Sequence, residues 1–365
     1  MQDGLRAIIE SIAPADSRAI ELALARQQSL AKPPHSLGKL EDLSVKLAGI
    51  TGELFNPVNK RRVLIFASDN GIVEEGVASC PQSVTLSQTI NFTRGLTGVA
   101  VLARHFHAEL DVMDVGINAD FHQSGVRDVK IAHGTRNFTK EHAMSREQAD
   151  RALQIGIEAA RRATDDGIQI IGVGEMGIGN TSTSSAVLST LLGLPAKQTV
   201  SRGAGINNAA YARKIAVIDE AIARWKPDPA DPVDVLMKVG GFDLAAMCGA
   251  FLGAAAARMP AVIDGFIGAV AALCAYRLNP LAAAYMIPSH ASAEKGYRLA
   301  MEAMGLEPML LMNMRLGEGS GCPVAFELVA ASQSVIRNMA TFEEAAIDDG
   351  YLEEIRGNKT FLGEA

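Results

Sequence analysis

Glu318 is the residue best placed by its neighbours to do chemistry. In the stretch MRLGEGSG (residues 314–321) it lies between Gly317 and Gly319, with Ser320 and Gly321 following. With no Cβ on either neighbour, a carboxylate here can come into contact with a small substrate. The preceding run PMLLMN (308–313) is apolar and is expected to form a buried strand. A carboxylate on a glycine loop at the carboxyl end of a strand is where an open α/β sheet holds a general base. The same residues also fit a plain surface turn that happens to hold a glutamate.

A second carboxylate, Glu175, lies within GVGEMG (172–177), which matches the G-x-G-x-x-G pattern after a strand and before a helix. The companion of that pattern is missing. Where an acidic residue should end a second strand, PAKQTVS (195–201) stands instead, so a dinucleotide is not expected. What survives is a helix start whose backbone N–H groups can hold a phosphate, with Asn180, Thr181 and Ser182 expected to cap the helix and add donors. An ordinary strand-to-helix turn explains the segment equally. SRGAG (201–205), followed by Lys214 in a helical stretch, is a second phosphate candidate, although such a lysine is usually just solvated.

These residues need a scaffold. Apolar runs at 62–68, 110–115, 168–173, 233–239, 260–264, 283–287 and 307–312 are candidate strands, and helical patterns such as 145–165, 181–192 and 244–258 lie between them. Several runs are apolar on both alternating faces, as in parallel strands buried under helices. The expectation is an α/β fold: a doubly wound, mostly parallel Rossmann-like sheet whose glycine-rich or polar loops converge at the carboxyl edge. A large α/β domain is expected at 60–330. The ends, 1–59 and 331–365, look helical (the second pattern running over about 325–357) and would pair as a small helical domain.

The 365 residues suffice for one large domain or two unequal ones, and 48 % hydrophobic with 21 % charged is an ordinary globular profile. With a net charge of −7 and no basic run, nucleic acid is not an expected partner. The longest apolar run, at 248–257, is too short for a bilayer and is broken by Gly249 and Gly253, so no membrane span is expected. Residues 1–7 lack a signal-peptide pattern, and Cys80, Cys248, Cys274 and Cys322 are scattered without a CxxC, which suggests reduced thiols in the cytoplasm. His105 and His107 have no third ligand nearby in sequence, so no metal is expected.

Taken together, KPPHSLGKLE (32–41), SDNGIVEEGV (68–77), NFTRGLTG (91–98), GEMGIGNT (174–181), KVGGFDL (238–244), SHASAEKG (289–296) and MRLGEGSG (314–321) resemble the nicotinate-nucleotide:dimethylbenzimidazole phosphoribosyltransferase family. The likeness spans roughly residues 25–335. It implies a Rossmann-like large domain, a small helical domain from both termini, no cofactor, and a dimer whose site borrows from the partner subunit. The partner would be a second copy or a paralogue. It also implies a reaction: nicotinate mononucleotide loses nicotinate, and C1′ is captured with inversion by an aromatic base or a phenol. Glu318 matches the family's general base, and Glu175 a carboxylate near ribose and nicotinate. Gly177, Arg202, Gly203, Lys214, Ser292 and Gly317 fall in the nucleotide-binding set. Cys80, Gln88 and Leu316 fall in the acceptor-binding set. A desolvated Glu318 should have a raised pKa, and a base in line with the leaving group contributes on the order of 10² to 10⁴ in rate.

The departures cluster near the acceptor. His35 stands where a glycine is expected, Asn70 where many relatives have histidine, and Cys80 where some have serine. They leave the acceptor open among a benzimidazole, a purine and a phenol.

Overall fold

Arg61–Ser68 (β1) is apolar on both faces, and it lies buried along nearly its whole length. It is the centre of a six-stranded sheet in the order β3-β2-β1-β4-β5-β6, with β2 at Glu109–Gly116, β3 at Val126–Asp128, β4 at Ile170–Met176, β5 at Ala261–Ile263 and β6 at Met286–Pro288. Every pairing is parallel. The order reverses direction between β1 and β4, so the crevice that opens beyond a topological switch point lies beyond Ser68 and Met176. The computed structural model describes residues 3–203 and 205–352.

The helices, in chain order, are α1 (Asp3–Glu10), α2 (Ser17–Ser29), α3 (Lys39–Thr51), α4 (Ser83–Thr93), α5 (Gly98–His105), α6 (Arg146–Asp165) and α7 (Asn180–Leu192). They continue with α8 (Ala196–Thr199), α9 (Asn208–Trp225), α10 (Pro232–Val239), α11 (Phe242–Ala256), α12 (Phe266–Leu278), α13 (Lys295–Met304) and α14 (Gly321–Asn338). Helices cover both faces of the sheet. The alanine- and glycine-rich composition shows its use between α6 and α11. A Cβ at Gly156 would fall 1.8 Å from the Ala246 carbonyl oxygen, and one at Gly249 would fall 1.9 Å from that of Leu153. Backbone lies on backbone there, which only glycine permits. None of the described helices is long and apolar enough to cross a membrane.

The chain divides into two compact units: Met1–Ala13 with Lys60–Ala325, which contains the whole sheet, and Pro14–Asn59 with Phe326–Ala365. Residues 1–13, expected in the small helical domain, thus fall in the larger unit. In the smaller unit Asp16 caps α2 by accepting from Ala19 N, and α3 ends at Gly52 in the left-handed conformation. Ala19, Ala23, Ala48 and Ile336 form its core. The expected helical pattern beyond residue 352 lies outside the described residues.

Two expected strands are not strands. Residues 233–239 form α10, because Asp231 caps Val233 N and Asp234 N and Pro232 occupies the first turn, a helix start that outweighs the alternating valines. Residues 307–312 are irregular apart from one bridge at Leu310, and Leu311 is 86 % exposed, so the apolar run before Glu318 is not buried. The run at 283–287 is mostly a 3₁₀ turn, Pro280–Tyr285, leading into β6, whereas β3 has no clear sequence signature.

Candidate active site

The end of β4 and the loop after it form the floor of the site. Glu175, next to last in β4, is almost fully buried. Its Oε2 accepts from Asn180 Nδ2, and its Oε1 accepts the main-chain N–H of Glu318 at 3.2 Å. The cap residue of α7 is Gly179, and it makes no side-chain cap bond. Asn180 is therefore not the cap that the sequence suggested. Its amide is spent on Glu175. Burial, with the negative neighbours Asp243 and Asp264, pushes the Glu175 carboxyl up to about 8. Asp243, at the start of α11, and Asp264, just past β5, are both raised to about 7, chiefly by burial. Desolvation disfavours the charged form of each of the three.

Glu318 is 6 % exposed, and its φ of +62° lies in the left-handed region. Gly317 and Gly319 on either side have φ values of +83° and +79°. Three successive left-handed residues make a tight hook lying on β4, where a Cβ at Gly174 would sit 2.6 Å from the Glu318 carbonyl oxygen. The hook turns the side chain toward α4 and α5. Glu318 Oε1 accepts from Gln88 Nε2 at 3.1 Å, and Oε2 accepts from Val99 N–H at 3.4 Å. Burial raises its pKa, while the Val99 and Gln88 donors oppose that rise.

The other candidate residues gather unevenly. Gly317 lies against Glu175, since a Cβ there would fall 2.6 Å from Oε1. Gly177 is pressed on β1, where a Cβ would meet the Ser68 carbonyl oxygen. Leu316 is exposed, and its side chain lies beside Gly98 near the Glu318 carboxylate. Cys80 is a half-buried free thiol in the bend leading to α4. Lys214 is buried to 1 % in α9 and points its Nζ at Thr181 Oγ1 at 2.8 Å, at the start of α7. Burial lowers its pKa to about 8, with Glu294 acting in the other direction. Gly203, left-handed at +54°, lies over the same Thr181 hydroxyl. Ser292 sits beside Gly265 and accepts from Glu294 N at 3.4 Å. Arg202 is exposed and bonded to its own loop at Ile206 O and Asn208 Oδ1, with its guanidinium over the Tyr211 ring. Within that loop, Ala204 lies outside the described residues.

A phosphoribosyltransferase family model matches residues 12–347. A protein of Clostridium perfringens named nicotinate-nucleotide–dimethylbenzimidazole phosphoribosyltransferase is 51 % identical over 358 residues, 98 % of this chain and 99 % of its own. The chain belongs to this phosphoribosyltransferase family. A Geotalea uraniireducens relative of the same name is 46 % identical over 347 residues, 95 % of this chain and 99 % of its own. The crystal structure of CobT from Thermus thermophilus superposes with a TM-score of 0.88 at 36 % identity, covering 91 % of this chain and all of that one. The α/β fold is shared, and the chain is a pentosyltransferase of this family.

Within this phosphoribosyltransferase frame, several residues that shape the site have little sequence signal. Asp264 ends a short apolar run before Gly265, and Asp243 follows a double glycine that comes after a helix rather than a strand. Asp243 lies within the motif KVGGFDL, but the placement of both beside Glu175 comes only from the fold. Val99 contributes through its backbone, which no residue type announces.

Proposed function

We propose that the chain transfers the 5-phosphoribosyl group of nicotinate mononucleotide to an aromatic lower-ligand base, dimethylbenzimidazole or a close analogue, giving α-ribazole phosphate and nicotinate. The supporting observation is the buried, left-handed Glu318, whose carboxylate is held by Gln88 and Val99 N–H beside the end of β4.

In this reading the acceptor ring lies along α4, near Gln88, Cys80 and Leu316. Its nitrogen bonds C1′ on the face away from nicotinate. The C1′–N bond to nicotinate breaks, and its electron pair leaves with the pyridine nitrogen, neutralising the pyridinium. Glu318 takes the proton that the acceptor loses. Its raised pKa suits a base working near neutrality. Lys214, Gly203, Arg202, Gly177 and Ser292 form the side where the nucleotide's phosphate and ribose are held. Glu175, neutral near pH 7, lies beneath the ribose and steadies the Glu318 backbone. Exclusion of water matters, because water would otherwise capture C1′. The functional unit is a dimer.

The purified chain, given nicotinate mononucleotide and dimethylbenzimidazole, should release nicotinate and form α-ribazole phosphate in equal amounts. Release of nicotinate at the same rate without any aromatic acceptor would make it a hydrolase and overturn the reading.

A further inference from the structure

Asp264 follows the last residue of β5 and is 3 % exposed. Its two oxygens are shared between two main-chain donors. Oδ2 accepts Gly319 N–H at 3.0 Å and Oδ1 accepts Gly321 N–H at 2.7 Å. These donors straddle Ser320 and come immediately after Glu318, whose own N–H goes to Glu175. β4 and β5 are paired, with Val173 opposite Ile263, so two adjacent strand ends each present a carboxylate to one loop. The hook at 317–319 is unfavourable for an L-residue at 318 and persists only where its surroundings over-determine it. Three captured N–H groups, at 318, 319 and 321, meet that requirement.

We propose that Asp264 is a positioning residue for the transfer reaction. Its carboxylate grips the main chain just beyond Glu318 and thereby fixes the direction in which the Glu318 carboxylate meets the acceptor. The inference rests on Glu318 acting as the base.

The neighbours of Asp264 are defined. His290 Nδ1 lies 3.9 Å from Oδ1, shares a hydrogen bond with Ser289 Oγ at 3.0 Å, and is biased toward the neutral form by burial. Tyr297, Cys322 and Glu175 also sense the Asp264 charge, and burial favours the neutral form of each. Burial is the chief cause of the raised Asp264 pKa, and the Glu318 charge adds a lesser rise. Around Glu318 itself stand Gln88 and the N–H groups of Gly98 and Val99.

Asp264→Asn, made in the parent and in Glu318→Gln, tests the proposal with nicotinate mononucleotide and dimethylbenzimidazole as substrates. In the parent, kcat should fall by on the order of 10²-fold, the cost of a misplaced reacting group. The KM for nucleotide should stay nearly constant. In Glu318→Gln, the second change should cost almost nothing, since the group that Asp264 positions is already absent. An equal loss in both backgrounds, or a KM for nucleotide that rises as kcat falls, overturns the proposal. Near-full turnover by Glu318→Gln alone instead overturns the reading of Glu318 as base. Should the variant not fold, the unmodified enzyme decides: the amide resonances of Gly319 and Gly321 must titrate together with one midpoint, and separate midpoints overturn the proposal.

Discussion

The main-chain N–H of Glu318 donates to Glu175 Oε1 at 3.2 Å, so one candidate carboxylate holds the backbone of the other. The two acids differ in what surrounds them. Glu175, with its carboxyl raised to about 8, is an anchor that carries a proton at neutral pH. Glu318 instead accepts hydrogen bonds through its side chain from Gln88 and Val99 N–H.

Replacing Glu318 should separate activity from stability. Glu318→Gln keeps the shape and loses the base, so turnover should fall by on the order of 10² to 10⁴ while nucleotide affinity is retained. Glu318→Gly removes an L-residue from φ +62°, a conformation that costs about 1 to 2 kcal/mol. It should be equally inactive, yet unfold at a denaturant concentration no lower than the parent's. A marked loss of stability in the glycine variant would mean that the Glu318 side-chain bonds to Gln88 and Val99 N–H outweigh the strain.

Glu175 makes stability depend on pH with a definite sign. Its folded pKa of about 8 exceeds the ordinary 4.5, so between these values the native state holds a proton that the unfolded state has released. The contribution is complete below 4.5 and is lost as pH rises through about 8. The slope is at most about 1.4 kcal/mol per pH unit for one proton. Urea unfolding should show the parent weakening from pH 5 to pH 8, with Glu175→Gln weakening less steeply. Parallel slopes would mean that Glu175 is ionised throughout.

How far the sequence could be read follows from the kind of signal each element carries. β1 and β4 are long and mostly apolar on both faces, β2 is buried over its second half, and α6 has a capping box at Ser145 and Gln148, so local pattern and tertiary role agree. α10 was hidden because its valines alternate as a strand's do, while its start at Asp231-Pro232 carries the helical information. The segment before Glu318 deceived for the opposite reason: Leu311 and Met312 are apolar but exposed, and periodicity says nothing about burial at an edge. In the site, Glu318 and Glu175 stand out by their glycines. Asp264 acts only by its place at a neighbouring strand end, and Val99 only by its backbone, so neither has a pattern of its own.

Lys214 should report the arrival of phosphate. Burial holds it at about 8, with Thr181 Oγ1 as its partner. A nucleotide phosphate brought to Nζ favours the charged form and raises that value. Somewhat above pH 8, nucleotide binding should therefore take up protons, approaching one per site, and affinity should decline with further alkalinity. Calorimetry in two buffers of different ionisation enthalpy measures the uptake. Lys214→Met should show none and bind more weakly by about 1.5 to 3 kcal/mol, the worth of a hydrogen bond to a charged group. Uptake that persists in the variant would assign the proton elsewhere.

His35 has a backbone conformation with a stability consequence. It is exposed and left-handed at φ +59°, at the start of a turn closed by Gly38 N donating to its carbonyl oxygen at 3.0 Å. The turn does not depend on the imidazole. The buried pair Lys32–Glu41, with Nζ and Oε2 2.8 Å apart, spans it, and Glu41 Oε1 accepts Leu37 N–H at 2.9 Å. His35→Gly relieves about 1 to 2 kcal/mol of left-handed strain. It gives back about 0.4 to 1 kcal/mol through the freer unfolded chain. The difference is a net stabilisation, expected to be about 0.5 to 1 kcal/mol by urea unfolding, with turnover of dimethylbenzimidazole unchanged. A variant that is more stable but shifted in its preference among a benzimidazole, adenine and a phenol would instead tie this turn to acceptor choice.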